Sequence, residues 1–392
     1  MKFFGSRVLI AILSALAIGF VLVTIGQTAT HLYGQFRPAS MEPAKGEAAS
    51  GDRTLPQTPG WFEIPNTKLA SICPDIAIIQ GVEGCGAVMA DWGGGLADTK
   101  RNRLVIWGGG HQGYFGNEFY ALDLEHLKIE RLTEPSSGDA LSNLKACPES
   151  YLDGTPNSRH SYNGLQYASR DDRYFVFGAG VAPCGFFSNF AWIFNPSSTT
   201  WVRTSSTHHP NAAQNGSVPL TAYDPVTSAI FEVEANAGQF WRYDFSSDDW
   251  KNVASTSVCG ALGTTSAIDP TRRLYFCVGA GNFSRIALSG SHTAKNLKGA
   301  GCSDLVSASA PGFDFDSSQR MMVGWAGGDT LYIYNPDADS CFTEHFDGGP
   351  GKPQKNGTFG RFRYFPGLGI FALWNDRNEN AYVVRLAPHS EH

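Results

Sequence analysis

A unit of roughly fifty residues recurs along the chain, and this period constrains the fold more than any other feature. Each copy opens with an apolar strand and turns on Asp or Pro. It continues as a strand rich in Tyr, Phe and Val that runs into glycine, then adds a third strand of aromatic-x-aromatic type. A weaker fourth strand often carries Trp. The clearest copy spans Val88 to Leu132, with LVIWGGG at 104–110 and EFYALDL at 118–124. The others carry YFVFGAG at 174–180, AIFEVEA at 229–235, RLYFCVGAG at 273–281, RMMVGWAGG at 320–328 and GIFALWN at 369–375. No copy can bury both of its faces alone, so the copies must stack, and a ring about an axis is the natural solution.

The expected fold is therefore all-β: a six-bladed β-propeller over residues 60–387, with 388–392 as a tail. A seven-bladed ring, its extra blade drawn from residues 134–158, is the alternative. The sixth copy ends after AYVVRL without an obvious fourth strand. Trp61 to Leu69 is an orphan strand with Trp at its start, and it is expected to complete the last blade. Composition agrees: 44 glycines, 12% aromatics and 17% charged residues, against roughly 25% charged in an average soluble domain, favour short strands and tight turns over long surface helices.

Lys2 and Arg7 precede an uncharged run from Val8 to Gly26, which reads as an export signal with its positive end inside. Its length suits a membrane-spanning helix, and Thr28 to Thr30 is a poor cleavage site, so residues 1–30 are expected to be an N-terminal hydrophobic helix acting as a signal anchor. A cleaved signal peptide, giving a secreted protein, is the alternative. Residues 31–59, rich in Pro, Ala, Gly, Ser and charge, read as a flexible stalk. Either way the body faces outside the cytoplasm. The eight cysteines, with no zinc-type spacing, then read as up to four disulfides, Cys73 with Cys85 being the easiest local pair. The net charge of −6, without a basic run in the body, argues against nucleic acid as a partner.

Loops entering each innermost strand and loops joining the second and third strands share one face of such a ring, close to its axis. Reactive residues gather there. The loop GGGHQGYFGNE at 108–118 supplies His111, Tyr114 and Asn117. The entry to the second copy supplies Arg159, His160, Tyr162 and Asn163. Later entries supply Asn215, Asp304, Asn356 and Arg361. Two His, two Tyr and two Arg without a metal set suit proton transfer beside an acidic group. No cofactor is expected, and the only ion left open is a structural divalent cation. Asp91, Glu118 and Asp304 are the carboxylates a glycosidase would have to use.

The aromatic strands followed by paired glycines resemble the kelch repeat family, within the galactose-oxidase-type propeller superfamily, over roughly residues 60–386. The loop GGGHxGYxGNE and the Arg-His-x-Tyr entry are similar to those of propeller polysaccharide lyases of the ulvan-lyase type, over perhaps thirty residues. That resemblance implies β-elimination on a uronate-containing polymer. His111 and His160 would be base or acid, Tyr114 or Tyr162 the partner, and Arg159 or Arg361 the neutraliser of the uronate carboxylate. Asn117, Asn163, Asn215, Asp304, Asn356 and Arg361 would bind substrate. The implied partner is an extracellular polysaccharide or glycoconjugate. A non-catalytic surface propeller that binds glycan or protein is the reading from a different class.

Overall fold

The computed structural model describes residues 54–205, 218–234, 238–260 and 262–388. The expected anchor, most of the stalk and Asn215 lie outside the described residues. Among the described residues, no helix is long and apolar enough to cross a membrane.

The strands of the described residues form six four-stranded antiparallel sheets. In the first blade, Gly95–Asp98, Arg103–Ile106, Tyr120–Asp123 and Lys128–Arg131 pair in succession. The other innermost strands are Leu165–Ala168, Thr221–Asp224, Thr265–Asp269, Gly312–Asp316 and Phe362–Phe365. Each contacts the next around the axis, and the last contacts the first. The ring is closed by the N-terminal strand Gly60–Ile64, which pairs with Ala381–Arg385 as the outer strand of the sixth blade, Trp61 facing Val384. The fold is a six-bladed β-propeller.

The six-bladed reading holds over its seven-bladed alternative, and one expectation is corrected. Residues 134–158 form no seventh blade: they hold only short 3-10 turns at Gly138–Leu141 and Leu144–Ala146 and an isolated bridge from Ser150 to Pro156. Without an apolar alternation, this stretch has no face to bury. The first copy does not open with a strand at Val88. Ala87–Ala90 is one helical turn, and the chain then passes so close to it that a Cβ on Gly93 would lie 1.9 Å from the Val88 carbonyl oxygen.

The repeated Asp and Asn residues explain the tight turns. At the end of innermost strands, Asp224 accepts the Val226 amide at 3.1 Å, Asp269 the Thr271 amide at 2.9 Å and Asp316 the Ser318 amide at 2.8 Å. At the end of third strands, Asp123, Asn195, Asp244 and Asn335 each accept an amide two residues on. These are side-chain turns that reverse the chain without a hairpin Asn-Gly pair. The glycines after the second strand serve a different end. Trp107 and Trp325 are fully buried there, and each donates its indole N–H to a carbonyl of the following loop, Asn117 at 2.7 Å and Gly328 at 2.9 Å.

The core lies between blades, not at the centre of the ring. One apolar cluster joins the first and second blades through Trp107, Phe119, Tyr174 and Phe194, with Trp201 stacked on Phe119 at 5.2 Å. Equivalent clusters fill the remaining joints. Buried carboxylates cross these joints as well. Arg101 bridges Asp98 and Asp172, and Arg273 binds Asp224 of the preceding blade. Four disulfides, Cys73–Cys85, Cys147–Cys184, Cys259–Cys277 and Cys302–Cys341, tie loops to the frame, with Cα separations of 5.6 to 5.9 Å. Such a set belongs to an oxidising compartment.

Trp61 is only 6% exposed and donates to the Asp329 carbonyl oxygen of the fifth blade at 3.2 Å, so it locks the closing strand to its neighbour. Trp61→Ala is expected to cost about 3–5 kcal/mol in denaturant unfolding, as for a large aromatic lost from a core. Trp201→Ala, on the outer strand of a blade whose strands are continuous in sequence, is expected to cost less.

Candidate functional site

Three entry loops reach the axis with the same local device. Trp92 precedes the strand at Gly95, Tyr162 the strand at Leu165, and Phe359 the strand at Phe362, each by three places. All three are left-handed, with φ of 48°, 45° and 48°. Bulky residues rarely hold this conformation, so surrounding bonds must impose it. The Tyr162 amide donates to the Trp92 carbonyl at 2.6 Å, the Gly94 amide to Ser161 Oγ at 2.8 Å and the Phe359 amide to the Ala310 carbonyl at 3.1 Å. The result is an aromatic patch at the mouth of the channel. Tyr162 lies edge-on to Phe359 at 5.8 Å and 6.3 Å from Trp92, with Phe187 and Val218 packed at its margin.

Of the two predicted histidines, His160 stands on this patch and His111 stands on His160. His160 rests against Trp92 at 4.9 Å, His111 is edge-on to His160 at 6.0 Å, and Tyr162 is edge-on to His160 at 5.8 Å. The Tyr162 hydroxyl and His160 Nδ1 are 3.5 Å apart. The loop after the second strand of blade two walls both imidazoles. The His111 amide donates to the Gly180 carbonyl at 2.6 Å. A Cβ on Gly180 would come within 2.8 Å of His160 Nδ1, and one on Gly185 within 2.5 Å of His111 Nε2. The Cys147–Cys184 disulfide holds that loop in place. His111 is exposed and His160 buried.

The electrostatics follow from burial. Desolvation, helped by the nearby His111, pulls His160 down to about 4, so its imidazole is neutral at neutral pH. Asp91, beside Trp92, is pushed up to about 6 by burial and by the charge of Glu83. Its carboxyl lies against the His111 loop, where a Cβ on Gly113 would meet Oδ2 at 2.0 Å. Burial and Asp91 together raise the Tyr162 phenol well above its ordinary value, which keeps it protonated. An exposed imidazole, a neutral buried one, a protonated phenol and a carboxyl titrating near 6 thus share one mouth, and such a set can take and return protons.

The other residues expected at the site are held in the walls. Tyr114 is fully buried and donates to Glu118 Oε1 at 2.5 Å, while Tyr120 donates to the same carboxyl oxygen. Arg159 is fully buried, reaching Glu149 Oε1 at 3.0 Å, the Glu149 carbonyl at 3.1 Å and the Asn157 carbonyl at 3.1 Å. Arg361 is fully buried among the carbonyls of Gly93, Trp374, Asn375 and Gly357 at 2.5 to 3.0 Å. Asn117 is spent on Ser136, Thr155 and Pro156, and Asn163 on Thr221 and Ser266. Asn356 donates to the Ala90 carbonyl, tying the sixth entry loop to the first. Asp304 sits apart on the helix Ser303–Ser307, accepting from Tyr332 at 3.3 Å.

Trp92 and Phe359 carry no titratable group to mark them in the sequence, but each stands three residues before its innermost strand, as Tyr162 does. Asp91, which the sequence offers as a glycosidase carboxylate, stands beside Trp92 and acts on Tyr162. Among the described residues, the only acidic and histidine cluster with metal-like spacing is Asp329, His345 and Asp347, which is largely exposed.

No family model matches the chain, and no curated protein matches it either. Its fold is similar to that of a structural-genomics protein of unknown function from Bacteroides thetaiotaomicron. The two superpose with a TM-score of 0.53 at 9% identity, over 84% of this chain and 76% of that one. At that identity the likeness carries the fold alone.

The titrations can be checked directly. His160 should titrate by NMR near pH 4, and His111→Ala should raise its midpoint. Because the folded pKa is depressed, its contribution to stability is present above the unfolded value near 6.5 and is lost as pH falls toward 4; His160→Gln should abolish that loss, about 3 kcal/mol. Asp91 should titrate near 6, and Glu83→Gln should lower its midpoint.

Proposed function

We propose that the protein acts on an extracellular acidic polysaccharide at this mouth, as a lyase cleaving by β-elimination. The observation that carries the reading is that His160 rests against Trp92 with His111 at 6.0 Å and Tyr162 at 5.8 Å from it, which lines up two imidazoles and a phenol. The local likeness of the 108–118 loop and the 159–162 entry to propeller polysaccharide lyases points the same way. Export supports an extracellular substrate, and the four disulfides support export. The apolar run Val8 to Gly26 would hold the protein at the membrane surface.

In this scheme the exposed His111 removes the proton at C5 of the uronate. The electron pair forms the C4–C5 double bond as the C4–O bond breaks. Tyr162, kept protonated by its buried setting, gives its proton to the departing oxygen. His160, neutral between the two, orients the phenol and donates to developing charge. Arg159 and Arg361 are committed to internal acceptors, so the uronate carboxylate is left to the ring N–H of His160. Trp92, the half-buried member of the aromatic cluster, offers a face for a sugar ring.

That commitment of both arginines is also what favours a second reading, a surface propeller that binds glycan without cleaving it. Aromatic faces with polar groups around them serve binding equally well.

The assay that separates the readings follows the ultraviolet band of the unsaturated uronate, with the protein against a panel of uronate-containing polysaccharides. A lyase gives a rising band that falls roughly 10²–10⁴-fold in His111→Ala and in Tyr162→Phe. Glycan retention without any band, lost in Trp92→Ala, selects the binding reading.

A further inference from the structure

The opposite end of the channel is built differently. There the turns of all six blades surround a cavity of about 280 Å³. Its wall is a collar of Tyr167, Tyr223, Phe315 and Tyr364, and Gln166, Asp314 and Arg363 lie deeper. The last three occupy one register, two residues before the end of the innermost strand, where the other blades carry Leu96, Ala222 and Ala267. Between this cavity and the histidine mouth, a buried network fills the channel. Asn163 Nδ2 donates to the Thr221 carbonyl at 2.7 Å and to Ser266 Oγ at 2.8 Å, and Gln166 Nε2 donates to the Thr221 carbonyl at 2.7 Å.

Arg363 is only 5% exposed, yet its guanidinium makes no close bond. Nε and Nη2 both lie 3.4 Å from the Gly95 carbonyl oxygen, and Nη1 is 3.8 Å from Asp314 Oδ1. Charge-assisted hydrogen bonds run at about 2.7–2.9 Å. Arg361, two residues earlier on the same segment, shows what a satisfied buried arginine looks like in this fold, with four carbonyls at 2.5 to 3.0 Å. Asp314 is already taken by the amides of Phe315 and Tyr364, each at 2.9 Å. Arg363 thus carries donor capacity that the protein does not use, at the floor of an aromatic-walled cavity.

We propose that this cavity is a second ligand site, which takes a small ring-bearing organic acid, its carboxylate on Arg363 and its ring within the tyrosine collar. Burial holds the Asp314 carboxyl above its ordinary range, so the acid meets a cation only partly countered by its neighbour. The site is independent of the histidine mouth and of any catalysis there.

Calorimetric titration of the full chain tests it with benzoate and glucuronate as probes, which separate an aromatic acid from a sugar acid, and with benzamide as the uncharged control. At least one acid should bind with a Kd of roughly 1 mM or tighter, and benzamide should not. Arg363→Gln combined with Asp314→Asn, which leaves no buried charge unpaired, should weaken binding about 10-fold or more. Tyr223→Ala, a half-buried rim residue, should also weaken it and serves if the double variant does not fold. His111→Ala should change nothing. Failure of both acids to bind, binding that survives loss of Arg363 or the Tyr223 ring, or loss of binding in His111→Ala would overturn the proposal.

Discussion

Each blade of this protein is a small sheet with two apolar faces, and neither face has water-compatible cover of its own. The wedge of side chains between adjacent blades is therefore the interaction on which everything else rests. The six clusters between blades bury the large aromatics, while the axis holds mostly polar groups and backbone. A stack of this kind cannot stop at an end without exposing a face, so the ring must close. Pairing Gly60–Ile64 with the last strands makes closure a property of residues more than three hundred positions apart. The stability of the ring and the order of its loops are thus coupled through one short strand.

Closure also explains the geometry at the mouth. Six innermost strands converge, and their entry loops have little room. Trp92, Tyr162 and Phe359 turn left-handed there, and neighbouring loops hold them by backbone hydrogen bonds. A strained conformation of about 1–3 kcal/mol per residue persists only where the frame over-determines it. The same crowding strips water from His160 and Asp91 and moves their titrations in opposite senses, one imidazole toward neutrality and one carboxyl toward protonation. The shifted titrations at the mouth are a by-product of how tightly the blades meet.

The arginines show how one residue type divides between roles. Arg159, Arg361 and Arg363 are all buried. The first two are saturated by carbonyls and a carboxylate, and they fasten loops. The third is not saturated. What separates them is the supply of acceptors: Arg361 meets four carbonyls and Arg159 two carbonyls and a carboxylate, whereas Arg363 has one carbonyl at 3.4 Å and a carboxylate already taken by two amides.

Much of this was legible in the chain. The period, the Asp and Asn turns, the aromatic-glycine strand ends and the unpaired Trp61 segment specify blades, their number and the means of closure, because these are local signals repeated six times. The even cysteine count and the Cys73–Cys85 pair were legible for the same reason of short range. The gathering of His111, His160 and Tyr162 followed from which loops share a face. What the chain alone did not decide is which polar side chain finds an internal partner. Tyr114 and Tyr162 stand in neighbouring loops and look alike in sequence, yet one donates to Glu118 in the core and the other faces the mouth. Arg361 and Arg363 lie two residues apart, and only the carbonyls around them tell them apart. That outcome depends on acceptors brought from distant strands, and such a partner exists only once the ring has closed.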